Sequence, residues 1–335
     1  MMKKVIVLLL MVLLVVSPLL GCSSSSGGAT TPIGLVPKKA NMVIQADLSK
    51  ILQDKDLTGI YDQVPKDSSY PQTFDDALAQ LRDQYNIDLN SFQEGVFFGD
   101  ISESSDEVDY SGAIVKGTFN KNDLITAIQS GSDTEWSTSK YKDYDIYSNE
   151  VEDSAFAFLN DNMFVIGTTQ PVKDVIDVKK GDAKALSGEV LDTYNKLGDA
   201  LIKVAMAVPP GIAEGDVGQS ASEVLGNLSA FDKVKTVGMT VTKDDQSLAL
   251  NMKLCCADSD SAQSIEDSIN GLIGFIGLAI SMSGADQEQY QTLSDLLDKV
   301  EVSRSDSCVD ISLAATIAQI EELIQIASQS SGQTG

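Results

Sequence analysis

Four cysteines, many carboxylates and no histidine set the chemistry open to this 335-residue chain. Without an imidazole, the Ser-His and Cys-His nucleophile arrangements and the usual zinc sites are excluded, as is the commonest general base near neutral pH. What remains is carboxylate, lysine or tyrosine chemistry, and thiol chemistry at Cys22, Cys255, Cys256 and Cys308. Ser137-Thr-Ser-Lys140 fits Ser-x-x-Lys, but it precedes a strand rather than opening a buried helix and lacks a Lys-Thr-Gly partner, so a Ser-Lys hydrolase is not expected. Asp54-Lys-Asp56-Leu-Thr58-Gly59 imitates the start of a calcium loop. Its twelfth position is Pro65 where a bidentate glutamate is needed, so the segment reads as an acidic turn. Glu103, Asp106, Glu107 and Asp109 form an acidic loop with oxygen ligands for weak calcium binding, although a solvated charge run is the default for such a segment. Walker A, Gly-x-Gly-x-x-Gly and Gly-x-Ser-x-Gly patterns are absent. The expectation is a non-enzyme with no catalytic residue, no cofactor and no transition metal.

Cys22 has a different context. Lys3 and Lys4 precede an apolar run from Val5 to Val16, and Ser17-Pro-Leu-Leu-Gly21 leads to the cysteine. The order is charged region, hydrophobic region, cleavage site. The run between Lys4 and Pro18 is shorter than the roughly 20 residues that span a bilayer. The Leu19-Leu20-Gly21-Cys22 end resembles the lipobox of bacterial lipoproteins. That resemblance implies cleavage before Cys22 and diacylation of its sulfur, with the polar stretch Ser23 to Thr31 as a tether. The expected partner is the membrane, reached through N-terminal acyl chains from outside the cytoplasm; each buried methylene contributes about 0.8 kcal/mol, so two or three chains hold firmly.

The net charge of −25 repels phosphate backbones, which argues against nucleic-acid binding. The same acidity is open to two readings, adaptation to salt and loose binding of divalent cations. At 43% apolar content the chain can bury a sizeable core.

The elements that must position these residues read as α+β, two lobes of mixed, mostly antiparallel sheet with packed helices. The divisions are a signal peptide at 1–21, lipidated Cys and tether at 22–37, an N-terminal lobe at 38–180, a C-terminal lobe at 181–328 and a disordered tail at 329–335. Thr73 caps a helix ending near Asn86, and Asn120 caps another to Ser130. Ser154 to Asn160 and Met163 to Thr168 form a hairpin whose Asn and Asp residues tolerate positive φ. Val234 to Thr242 pairs with Ser247 to Cys256; helices Ser259 to Met282 and Asp286 to Leu297 follow, then strands from Val300 and Cys308 and a helix to Ala327. Both halves run strand, helix, strand pair, helix, strands, helix, which suggests a diverged internal duplication. The apolar stretch Ile269 to Ile280 is too short to span a membrane; it reads as a buried core helix whose Gly271, Gly274 and Gly277 permit close packing. Trp136, the single tryptophan, reads as a packing residue.

With Cys22 lipidated, three cysteines remain for an oxidising compartment, and one disulfide plus one buried thiol is the natural arithmetic. In the strand of Leu248, Leu250, Met252, Leu254 and Cys256 the alternate positions face the core, so Cys255 faces away. Val309, Ile311 and Leu313 face inward in the last strand and Cys308 points out. Cys255 is therefore predicted to pair with Cys308.

Several segments together resemble an uncharacterised domain-of-unknown-function family of exported and lipid-anchored bacterial proteins. They are Pro37-Lys-Lys-Ala40-Asn-Met-Val-Ile-Gln-Ala-Asp47, Tyr85-Asn-Ile-Asp-Leu89 before Gly95-Val-Phe-Phe, Tyr141-Lys-Asp-Tyr-Asp-Ile-Tyr147, Ala155-Phe-Ala-Phe-Leu before Phe164-Val-Ile-Gly167, and Val172-Lys-Asp-Val-Ile-Asp177. The resemblance covers about residues 37 to 205. It implies a two-lobed α+β body without known catalytic residues, and it transfers no site. The expectation is a lipid-anchored protein of the cell envelope with a non-catalytic binding or structural role, envelope proteins among its partners and a small-molecule ligand left open. The alternatives are a solute-binding lipoprotein of a transporter and a carboxylate-dependent hydrolase.

Overall fold

The computed structural model of the chain describes residues 30–64, 66, 70–101, 110–132, 134–209, 229–282 and 287–331. Strand β1 (Met42–Ala46) leads into helices α1 (Leu48–Gln53), α2 (Lys55–Gln63) and α3 (Phe74–Tyr85). Side chains of Asp47, Asp54 and Thr73 accept hydrogen bonds from the first free N–H groups of these three helices. Asn86 ends α3 in the left-handed conformation, φ 54°. Next come β2 (Phe92–Gly99), β3 (Ser111–Gly117), α4 (Lys121–Ser130, capped by Asn120), β4 (Ser137–Tyr141), β5 (Tyr144–Asn149), β6 (Ser154–Asn160), β7 (Met163–Thr168) and α5 (Thr169–Lys180). The second half holds α6 (Glu189–Lys196), β8 (Ile202–Ala207), β9 (Val234–Asp244), β10 (Ser247–Cys256), α7 (Ser259–Met282), α8 (Gln287–Leu297), β11 (Glu301–Ser305), β12 (Cys308–Thr316) and α9 (Ile317–Ser331).

The α+β class and antiparallel pairing are as the sequence predicts, and the two halves meet in one 12-stranded sheet, ordered β11-β12-β10-β9-β8-β1-β2-β3-β7-β6-β5-β4. The join is β1 against β8, centred on Ile44 opposite Val204. Outward from that pair the register repeats. Ile44 faces Phe97 as Val204 faces Met239; Phe97 faces Ala113 as Met239 faces Met252. Ala113 faces Ile166 as Met252 faces Ile311, and Ile166 faces Phe156 as Ile311 faces Val302. Each half therefore runs strand, hairpin, second hairpin in the same order about a local twofold at the centre of the sheet, the topology expected of a duplication.

Period-2 alternation gives the sheet two apolar faces in the first half. Val43, Val96, Phe98, Ile114 and Val165 pack under α5 and α6 through Val172, Val175, Ile176, Val190 and Tyr194. On the other face Phe92, Val115 and Phe164 lie under α3 and α4, Ile202, Val241 and Leu248 under α2 and α9, and Leu254 and Val309 under α7. The twofold breaks at the last helix of each half. α5 covers the Val165 face, whereas α9 has crossed to the opposite face beside α2.

Four local expectations are corrected. Asp54 to Gly59 is not a turn: Asp54 caps α2, and Leu57, Ile60 and Tyr61 are its buried side, a periodicity that Gly59 interrupts in the sequence. Ser137 to Lys140 belongs to edge strand β4 rather than preceding a strand. The Asn160 to Asn162 turn uses no positive φ; Asn160 instead accepts from the Asn162 N–H at 2.9 Å. The C-terminal helix continues to Ser331, into the segment expected as tail.

Candidate functional site

Cys22 and the acidic group Glu103, Asp106, Glu107 and Asp109 lie outside the described residues. Cys255 and Cys308 sit directly opposite in the β10–β12 pair, Cα atoms 4.1 Å apart, and are disulfide-bonded. Cys256 is a buried free thiol under α7, pushed up by burial and then by the Asp258 charge. Ser137 hydrogen-bonds Ser148, and Lys140 pairs with Asp145 2.8 Å away, so neither contributes to a nucleophile site. Trp136 packs edge-on against Phe156, with ring centroids 5.5 Å apart. Among the described residues no three His, Cys, Asp or Glu side chains converge as metal ligands.

The geometry that invites a ligand is a cavity of ≈80 Å³ between α1, α3 and α4 above and β2, β3 and β7 below. Its wall is wholly apolar and includes Leu48, Leu81, Leu89, Phe92, Val115, Leu124, Phe164 and Ile166. Three small residues on facing elements keep it open: Gly95 on β2, Ala113 on β3 and Ala127 on α4. A methyl built on Gly95 would meet only Leu48, at 3.5 Å. A void with this lining stays dry and takes apolar guests in an otherwise close-packed interior.

Ile87, Phe92 and Leu124 separate this cavity from a second one of ≈140 Å³ whose lining is half polar. Asn86, Asp88, Ser91, Thr118, Asn120 and Asp123 line it, and Asn86 donates to Asp123 at 2.6 Å. The polar groups are there for local reasons, since Asn120 caps α4, Asp88 caps the turn at Leu89–Ser91 and Asn86 ends α3. The result is an apolar chamber behind a three-residue partition, with amides, hydroxyls and two carboxylates outside it.

Two other polar regions are distinct from this chamber. On the face opposite α9, Thr240, Asn251, Lys253, Asp310 and Ser312 floor an open groove of ≈580 Å³, with Lys253 paired to Asp310. Near the join of the halves, Gln45 accepts from Tyr194 and donates to Glu94 at 2.7 Å, while Lys203 Nζ lies 4.0 Å from the Tyr194 ring centroid. Burial pushes the Glu94 carboxyl up, against the opposing effects of Gln45 and Lys116. Glu94 lies outside the apolar chamber and its polar neighbour.

Sequence reasoning missed the chamber because no motif marks it. The readable signal is the coincidence of small residues at inward positions of three elements that the fold later stacks.

No family model matches the chain, and no curated protein matches it in sequence. Solved structures of TP0453 are similar in the course of the chain. Crystal form III has a TM-score of 0.48 at 8% identity, over 90% of this chain and 98% of that one. Crystal form I has 0.45 at 9%, over 90% and 97%, and crystal form IV has 0.46 at 10%, over 89% and 96%.

Proposed function

We propose that this is a lipid-anchored protein of the cell envelope, held outside the cytoplasm by acyl chains on Cys22, that binds an apolar or amphiphilic small molecule without transforming it. The dry chamber under α3 and α4 carries the binding part of this reading; the order of residues 3 to 22 carries the anchoring part. The chamber has room for a ring or the end of an alkyl chain. A longer tail would need Ile87, Phe92 and Leu124 to turn aside, which would place the ligand's head among Asn86, Asp88 and Asp123. Two carboxylates there favour a neutral hydroxylated or cationic head over an anionic one.

Other classes find less support. A transporter's solute binder built from two doubly wound lobes requires parallel strands, and the sheet here is antiparallel throughout its pairings. A carboxylate hydrolase needs an acid and a base converging on one pocket, and Glu94, the one described carboxyl pushed upward, faces Gln45 instead.

The binding test is thermal denaturation with dodecanol, dodecyltrimethylammonium and dodecanoate. A midpoint rise that grows with ligand concentration and is smallest for dodecanoate is the expected result. Ala127→Leu should fill the chamber and remove the rise while leaving a folded protein. No rise with any of the three removes the ligand proposal. For the anchor, Cys22→Ser should abolish acyl labelling and leave misprocessed precursor; equal label on the variant removes that part.

A further inference from the structure

The end of α7 does not behave as a core helix. Ala262, Ile265 and Ile269 are buried against β10 and β12, Ile273 packs partly buried beside them, and beyond it one side of the helix is exposed. Phe275 is 58% exposed, Leu278 57% and Met282 76%, at spacings of three and four residues that align them on one side of the helix. Gly271, Gly274 and Gly277, expected to permit close packing, have nothing within 4 Å of where a Cβ would stand. The stretch from Ser268 to Ala285 carries no charged residue, in a chain whose net charge is −25. An exposed helix face in an acidic protein should carry acids and lysines; this one carries Phe, Leu, Met and Gly.

We propose that the end of α7, from about Gly271 to Met282, dips into the bilayer that also receives the Cys22 acyl chains. The proposal rests on the lipid-anchored reading. Charge decides the occupant: the acidic body is repelled by an anionic surface, and the α7 end is an uncharged surface able to leave water without stripping an ion of its hydration. Length sets the depth. At 1.5 Å per residue the part beyond Ile269 reaches about 20 Å, less than the roughly 30 Å of hydrocarbon in a bilayer. No helix among the described residues is long and apolar enough to cross a membrane, so the end inserts without spanning. The contact would fix the orientation of the body, which a flexible tether alone leaves free.

The test is flotation of the mature chain, residues 22–335 with Cys22→Ser so that no acyl chain contributes, on phosphatidylcholine vesicles with and without phosphatidylglycerol. The expected result is flotation on the neutral vesicles, weaker as phosphatidylglycerol is added. It should be lost in Phe275→Asp/Leu278→Asp/Met282→Asp, whose exposed sites leave the melting temperature unchanged. Three outcomes overturn the proposal: no flotation of the Cys22→Ser chain, equal flotation of the triple variant, or a dimer in solution that the triple variant dissociates, which would assign the surface to a second copy. Failure of the anchor itself is read separately, from acyl label on the unaltered chain.

Discussion

Lys243 Nζ lies 2.6 Å from Asp54 Oδ2 and 2.7 Å from Asp54 Oδ1, so the end of β9 grips the residue that caps α2. Asp56, 2.6 Å from the same ammonium, completes the clamp. The sequence pattern that imitates a calcium loop is thus occupied by the protein's own cation.

This clamp predicts a pH dependence. Burial acts to raise the Asp54 carboxyl, but hydrogen bonds from Lys243 and from the Leu57 and Asp56 N–H groups outweigh it and hold the group below its ordinary 3.8. Its stabilisation is therefore complete above that value and is lost as pH falls through the lower folded value. Burial acts to lower Lys243, and its bonds to Asp54 and Asp56 outweigh that, so its contribution is lost as pH rises through a raised folded value. Lys243→Met should cost about 1 kcal/mol near neutral pH, since the pair is partly exposed, and should shrink the acid-side loss. Urea midpoints measured against pH check both; an unchanged acid limb counts against the clamp.

The Cys255–Cys308 bond closes a loop with a sequence separation of 53. Its removal by Cys255→Ser/Cys308→Ser should cost about 3–4 kcal/mol, measured by denaturant unfolding. Cys256, buried and with a raised pKa, should resist iodoacetamide until the chain unfolds. Peptide mapping without reductant should recover the Cys255–Cys308 peptide. A Cys255–Cys256 bridge would contradict the register.

Gly167 and the three α7 glycines should respond with opposite signs to alanine. A Cβ at Gly167 would fall 2.3 Å from Ser111 O and 2.6 Å from Gly112 Cα, so Gly167→Ala must part β3 from β7 and should cost about 2–3 kcal/mol. Gly271→Ala, Gly274→Ala and Gly277→Ala stand in open helix and should each stabilise by about 0.5–1 kcal/mol. Thermal midpoints decide; destabilisation by the α7 substitutions would show that those glycines pack closely after all.

Lys203 is 1% exposed, with its ammonium against the Tyr194 ring. Lys203→Ala should cost about 2–4 kcal/mol by leaving a hole beside a buried polar network. Lys203→Met should recover the part of that loss that belongs to the stem. Equal destabilisation by the two would show that the charge, not the volume, matters there.

Strand parity was legible because β10 alternates Leu248, Leu250, Met252 and Leu254 without interruption; that pattern put Cys255 on the face away from the core, and the β10–β12 register sets it opposite Cys308. The bounds of α7 were legible from its apolar content, but not which part of it is buried, since content does not say where the sheet beneath it ends. Edge strand β4, Ser137-Thr-Ser-Lys-Tyr141, shows no apolar alternation because it lies at the rim, mostly exposed. The β1–β8 join was illegible for another reason. Ile44 and Val204 look like any strand residues, and their pairing depends on two central strands with apolar neighbours on both sides finding each other across the chain. The chamber depends on the same kind of long-range stacking, of Gly95, Ala113 and Ala127.

The register about Ile44 and Val204 is the one by which two identical subunits would meet in a C2 dimer, each lending an edge strand to the other. On a single polypeptide that contact no longer depends on protein concentration, because the linker holds the second half at a fixed effective concentration beside the first. Nor must the halves stay alike. In one half the last helix lies over the Val165 face, and in the other it lies on the opposite face, leaving the polar groove at Thr240 and Asn251 open. An identical pair would carry such a groove twice or not at all; in this chain the two ends of the sheet differ, and the molecule has a front and a back.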